Sequence, residues 1–191
     1  IKTQFPSITI GIAFLGPLVG SLSRPLGGLL ADRIGGAIIT FWNFIAMAAA
    51  TIGVLYFVGV KDFAGFLAMF LALFVTTGIG NGSTYRMIPS IFREENLHKA
   101  KGKGEAAQAL ALKTASIESG AALGFVGAMG ACGGYLIPSG FGKSIVITGG
   151  PQLALIVYLG FYAICLALTW WHYLRRTPLA AGAISLAEAR V

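Results

Sequence analysis

Apolar residues fall in long runs along this chain, and short polar stretches separate them. Five runs reach the roughly 20 mostly apolar residues that a helix needs to cross a hydrocarbon core: 8–30, 37–59, 64–92, 117–138 and 151–174. The connections are short at 31–36 and 60–63, long at 93–116 and medium at 139–150. The pattern predicts an all-α membrane protein with five transmembrane helices and a polar tail over 177–191. The long connection mixes Glu94, Glu95 and Glu105 with lysines. It reads as a solvated connection, with a patch for anionic lipid or a disordered linker as alternatives.

Composition agrees with the pattern. The 191 residues are 56% hydrophobic and 11% charged, with a mean hydropathy of +0.79. A soluble domain carries roughly 45–50% apolar and about 25% charged residues, so this chain cannot cover itself with a polar surface. Its expected solvent is lipid. The net charge of +7 sits in loops, where it orients spans and does not point to nucleic acid. Nine Lys and Arg lie on one side (Arg33, Arg93, Lys99, Lys101, Lys103, Lys113, Arg175, Arg176, Arg190) and three on the other (Lys2, Lys61, Lys143). The positive-inside rule puts the larger set in the cytoplasm and the amino end outside. Trp170, Trp171 and Tyr173 before Arg175 read as interfacial anchors, and Cys132 and Cys165 as packing residues within apolar runs. The opening Ile1-Lys2-Thr3-Gln4-Phe5-Pro6 has no initiator Met or leader pattern. The expectation is the interior of a longer protein.

Lipid supplies little hydrophobic drive for helix association, so small residues must let backbones approach. Gly16, Gly20, Arg24 and Gly28 recur every four residues in the first span, and Gly78, Gly82 and Arg86 repeat that spacing in the third. The fourth carries Gly124, Gly127, Gly130, Gly133 and Gly134. Two of these ridges include an intramembrane arginine, which costs about 2.5–3.5 kcal/mol on insertion scales. Arg24 lies five residues past the centre of its span, about 7–8 Å toward the cytoplasm. It reads either as a snorkelling anchor or as a buried cation. Pro25 removes the helical donor of the Ser21 carbonyl, and Ser21 and Ser23 add polar groups nearby. Arg86, beside Tyr85 and before Pro89, reads as snorkelling or paired at the inner mouth. The run Gly80-Asn81-Gly82-Ser83-Thr84-Tyr85 is too polar for a lipid face, and Asn81, Tyr85 and Arg86 are candidates to line a pathway.

No Asp or Glu falls in the middle of a span, and Asp32, Glu94 and Glu118 sit near span ends. His98 and His172 are peripheral. Neither a metal-ligand cluster nor a nucleophile–base pair is legible, so no metal, cofactor or enzymatic chemistry is expected. A positive centre without a fixed carboxylate calls for a mobile anion.

Ser23-Arg-Pro-Leu-Gly-Gly-Leu-Leu-Ala-Asp-Arg-Ile-Gly-Gly36 resembles the segment that ends the eighth helix of the major facilitator superfamily. Within it, Gly28-x-x-x-Asp32-Arg33-x-Gly35 is similar to the superfamily's cytoplasmic gating motif. Gly124-Phe-Val-Gly-Ala-Met-Gly-Ala-Cys-Gly-Gly-Tyr-Leu-Ile-Pro138 resembles the second nitrate signature of the nitrate/nitrite porter (NarK-type) branch. Lys2–Pro6 and Gly78-Ile-Gly-Asn-Gly-Ser-Thr-Tyr-Arg-Met-Ile-Pro89 also look like that branch. The resemblance implies helices eight to twelve of a twelve-helix transporter in the inner (plasma) membrane. The missing amino-terminal half and the bilayer would be its partners, and nitrate and nitrite its substrates.

The resemblance also implies that Arg24 is one of two substrate-binding arginines and that the signature glycines slide against the opposite half. Two positions depart from it: Gly127 stands where some relatives carry Ser, and Arg86 where some carry Gln. The guanidinium is a planar fork that matches a planar oxyanion and keeps its proton. With no mid-span carboxylate in this half, exchange of nitrate for nitrite is expected over proton symport. A facilitator for another small anion and a truncated, non-transporting remnant stay open as alternatives.

Overall fold

The computed structural model of the protein describes residues 14–174. Those residues form five long helices: α1 (Leu15–Ile34), α2 (Gly36–Val60), α3 (Phe63–Ala100), α4 (Glu105–Thr148) and α5 (Gln152–Thr169). A π-helical turn, Trp170–Leu174, continues α5. Four of them, counting α5 with its turn, are long and apolar enough to cross a membrane. The fifth, α1, carries Arg24, Asp32 and Arg33 within its 20 residues, and the first six residues of its expected span lie outside the described residues. Lys2–Pro6, Arg175, Arg176, Arg190 and the tail 177–191 lie outside them too.

The turns are tight because specific residues close them. One residue, Gly35, separates α1 from α2, and its N–H donates to the Ala31 carbonyl at 2.9 Å. Its φ of 104° belongs to the region that a Cβ disfavours. Between α2 and α3, Lys61 adopts a left-handed cap. Asp62 then caps α3 by accepting from the N–H groups of Ala64 (3.1 Å) and Gly65 (3.3 Å), which satisfies donors that every helix start leaves open. At the start of α5, Ser144 Oγ donates to the Gly150 carbonyl at 2.7 Å and accepts from Ala154 N–H at 3.2 Å.

Two expected connections are corrected. Most of 93–116 is helix, as α3 runs to Ala100 and α4 begins at Glu105. Only 101–104 remain as the turn, so this stretch is neither a plain loop nor a disordered linker. The 139–150 connection is likewise helical to Thr148. At 1.5 Å per residue, the 38 residues of α3 and 44 of α4 extend about 57 and 66 Å, well past a hydrocarbon core of about 30 Å. Polar contacts hold the extension. Asn96 Nδ2 donates to Glu118 Oε2 across the hairpin at 2.8 Å. Lys99 Nζ lies 2.7 Å from Glu95 Oε1 one turn away, and that hydrogen bond, with the carboxylate charge, pushes the Lys99 ammonium pKa up.

α3 is the hub: α1, α2 and α4 all pack on it, and α5 packs mainly on α2. Among the described residues α1 and α4 do not approach each other. α1 and α3 run parallel, with Gly16 and Gly20 against Phe74, Ser23 against Gly78, and Asp32 against Arg86. A Cβ added at Gly82 would run into the Arg24 carbonyl oxygen, and one at Gly27 into the Ile79 carbonyl oxygen. The two backbones touch, so no side chain fits between them.

Gly82→Ala is therefore expected to cost about 1–3 kcal/mol through overpacking. Gly28→Ala, with nothing within 4 Å of its added Cβ, should stay within about 0.5 kcal/mol. Thermal unfolding of the full-length protein in detergent compares them, and equal melting temperatures would refute the close contact.

Candidate functional site

The polar run 80–85 of α3 divides between three neighbours. Gly82 faces α1. Gly80 and Ser83 face α2, where Ser83 is fully buried. Its Oγ donates to the Gly80 carbonyl at 3.0 Å, so Thr40 of α2 supplies the hydrogen of their 3.2 Å contact. Asn43 of α2 packs on Gly80. Tyr85 leans toward α4, with its hydroxyl 3.4 Å from where a Cβ of Gly127 would stand. Asn81 and Tyr85 are exposed. The run's polarity is thus absorbed on two sides and left free on the third.

Arg24 is exposed and, among the described residues, makes no hydrogen bond or ion pair. α1 stays helical through Pro25, with the Arg24 backbone pressed on Gly82. The side chain therefore projects from a fixed backbone position, which suits recognition better than a loop does. The packed positions of α1 are Gly16, Gly20, Ser23, Gly27 and Ala31. That differs from the expected four-residue ridge through Arg24 and Gly28. A strict spacing of four rotates around a 3.6-residue helix, so the contact line passes to Ser23 and Gly27 and leaves Arg24 beside it.

Arg86 has a partner that the sequence did not name. Its Nε donates to Asp32 Oδ1 at 2.6 Å, with the two side chains 61% and 46% exposed. The pair joins the end of α1 to α3. Of the other residues expected in the gating motif, Arg33 is exposed in the last turn of α1, where a cation opposes the helix dipole favourably. Gly35 forms the turn, and Gly28 has open space around it.

Among the described residues the signature glycines of α4 are largely open: Gly124, Gly130, Gly133 and Gly134 have nothing within 4 Å of an added Cβ, whereas Gly127 meets Tyr85 and, beyond the signature, Gly140 abuts the Tyr158 hydroxyl. Cys132, on the same stretch, is exposed and free. Cys165 is half-buried. No three His, Cys, Asp or Glu side chains come together among the described residues.

Sequence reasoning missed the polar seam between α2 and α3. Thr40 and Asn43 face Ser83 and Gly80 across it, and they belong to the buried positions Thr40, Asn43, Met47, Ala50, Thr51 and Val54 of α2. Their three- and four-residue spacing, with polar members inside an apolar run, was the available signal.

No family model matches the chain. It is 45% identical over 179 residues to the nitrate/nitrite transporter NarU of Escherichia coli (strain K12), an alignment covering 92% of this chain and 38% of that relative. It is 29% identical over 167 residues to the probable nitrate/nitrite antiporter NarK2 of Thermus thermophilus, covering 86% and 33%. With the probable nitrate transporter NarT of Staphylococcus carnosus (strain TM300) it shares 27% over 156 residues, covering 81% and 33%. The chain thus spans between a third and two fifths of the length of these relatives. Over that span it belongs to the nitrate/nitrite porter (NarK-type) family of the major facilitator superfamily.

Proposed function

We propose that residues 1–176 form the carboxyl-terminal transmembrane half of a nitrate/nitrite transporter, helices eight to twelve, with 177–191 as a cytoplasmic tail. The transporter works by alternating access, and Arg24 binds the planar oxyanion. The observation that carries the reading is the 45% identity to a relative named a nitrate/nitrite transporter. Physical support comes from Arg24 itself, a cation on a membrane helix without a protein counter-ion among the described residues. Such a charge is costly in lipid, and an oxyanion that accepts two parallel hydrogen bonds offsets that cost. In this reading Asn81, Tyr85 and Arg86 flank the pathway.

Exchange of nitrate for nitrite fits a half with no mid-span carboxylate to carry a proton. It also fits the antiporter name of the Thermus relative. The nine-to-three distribution of basic residues supports a cytoplasmic carboxyl end. The open glycine face of α4 would receive the amino-terminal half, because small residues let helices approach and slide in lipid.

Three expected outcomes follow in the full-length transporter. Arg24→Lys keeps the charge and loses the fork. With about 1.5–3 kcal/mol for a hydrogen bond to a charged group, nitrate affinity should fall roughly 10–150-fold, and Arg24→Ala should abolish measurable binding. Near-normal affinity in Arg24→Lys at matched expression would return Arg24 to the role of a snorkelling anchor.

Asp32→Asn should lower the maximal rate more than the affinity. Exchanging the charges, Asp32→Arg with Arg86→Asp, should restore part of that rate. A large affinity loss at unchanged rate would overturn the gating assignment.

Gly130→Leu should cut uptake well below its effect on membrane insertion, measured as protein recovered in the membrane fraction. Wild-type flux in that variant would rule out a close helix contact at this face.

A further inference from the structure

Tyr85 combines three features. It sits on α3 with its side chain directed at α4, and its oxygen lies 3.4 Å from the Cβ position of Gly127. The residue is 39% exposed. Its hydroxyl makes no hydrogen bond among the described residues, whereas other hydroxyls of the same polar run, on Ser83 and Thr84, each find a backbone carbonyl. A buried or lipid-facing hydroxyl normally acquires a partner. Three residues before Tyr85, Gly82 abuts the backbone of Arg24, which puts the phenol within one helical turn of the level at which Arg24 leaves α1.

We propose that the Tyr85 hydroxyl is a second hydrogen-bond donor to the transported oxyanion, acting from α3 beside Gly127; the proposal rests on the reading of Arg24 as the anion ligand. The chemistry is complementary. A guanidinium fork engages two oxygens of a planar anion and leaves the rest to be satisfied by other donors. A neutral phenol adds a bond without a second full charge, so binding gains specificity while release stays possible. The Cβ position of Gly127 stands at ordinary contact distance from the phenol oxygen, so a small side chain fits there. A serine there would meet that oxygen at ordinary contact distance and offer a hydroxyl from the opposite helix.

The test uses the full-length transporter and measures nitrate binding and uptake for Tyr85→Phe, for Tyr85→Phe with Gly127→Ser, and for Arg24→Ala. Phenylalanine keeps the ring and its packing. Loss of one hydrogen bond to the charged anion should weaken nitrate affinity roughly 10–150-fold with the maximal rate largely kept, and Gly127→Ser on that background should recover much of the loss. Wild-type nitrate affinity in Tyr85→Phe would overturn the proposal and leave Tyr85 an interfacial anchor. A loss that Gly127→Ser does not recover, accompanied by lower expression, would assign Tyr85 to packing and also overturn it. Arg24→Ala is read separately: if it binds nitrate normally, the anion site itself is misassigned, and if only Tyr85→Phe is silent, the site stands and this donor falls.

Discussion

The contact on which this half-bundle depends is between the backbones of α1 and α3. At Gly27, Gly78 and Gly82 there is no room for a methyl group before a carbonyl oxygen or a serine hydroxyl of the other helix is met. Such proximity brings Cα–H groups against carbonyl oxygens, a weak attraction that recurs where helices cross closely. In lipid, where apolar side chains gain little by leaving their solvent, packing of this kind is what holds helices together. It also fixes the backbones that carry Arg24 and Tyr85, which lie on these same two packed helices.

The fold was legible in the sequence because its constraint is length. Hydrocarbon thickness sets a lower bound on apolar runs, and each expected span coincides with a helix wherever residues are described. Helix ends were less legible. Hydropathy reports where the membrane stops, whereas α3 and α4 continue as helices beyond the apolar stretch. That extension is held by the Asn96–Glu118 and Lys99–Glu95 contacts, which a polar stretch shares in composition with a loop. Spacing identified Gly16, Gly20, Gly78 and Gly82 as packing positions. It chose Gly28 over Gly27 because the four-residue rhythm was followed one step too far.

Pairings across the bundle were legible only in part, for a physical reason. Asp32 and Arg86 are 54 residues apart, and nothing local in either helix records that α1 and α3 run in register. The α4 glycines present the opposite case. The signature pattern is pronounced in the sequence, yet of Gly124, Gly127, Gly130, Gly133 and Gly134 only Gly127 has a neighbour among the described residues. A small-residue pattern reports that something approaches closely. It does not report whether the approaching helix belongs to the same segment.

The two intramembrane arginines illustrate how charge separates roles that sequence position leaves alike. Each follows two glycines at four-residue spacing, and each lies in the carboxyl-terminal half of its expected span. Arg86 meets the carboxylate of Asp32, so its charge is balanced inside the half-bundle, and its substantial exposure makes the pair a modest contributor to stability. Spending Asp32 on Arg86 has a consequence for Arg24. The nearest acidic residue along α1 is engaged, and no other acid lies in the middle of a span. A guanidinium cannot escape the cost of lipid by losing its proton. Its remaining recourse is to reach the interface or to hold an anion that arrives with the solvent. A transporter needs the second and must be able to let go. In the function proposed above, an unneutralised arginine on a rigid helix, with neutral polar groups around it and no fixed counter-ion among the described residues, would meet both demands, because the anion it held would also be the charge that it gave up.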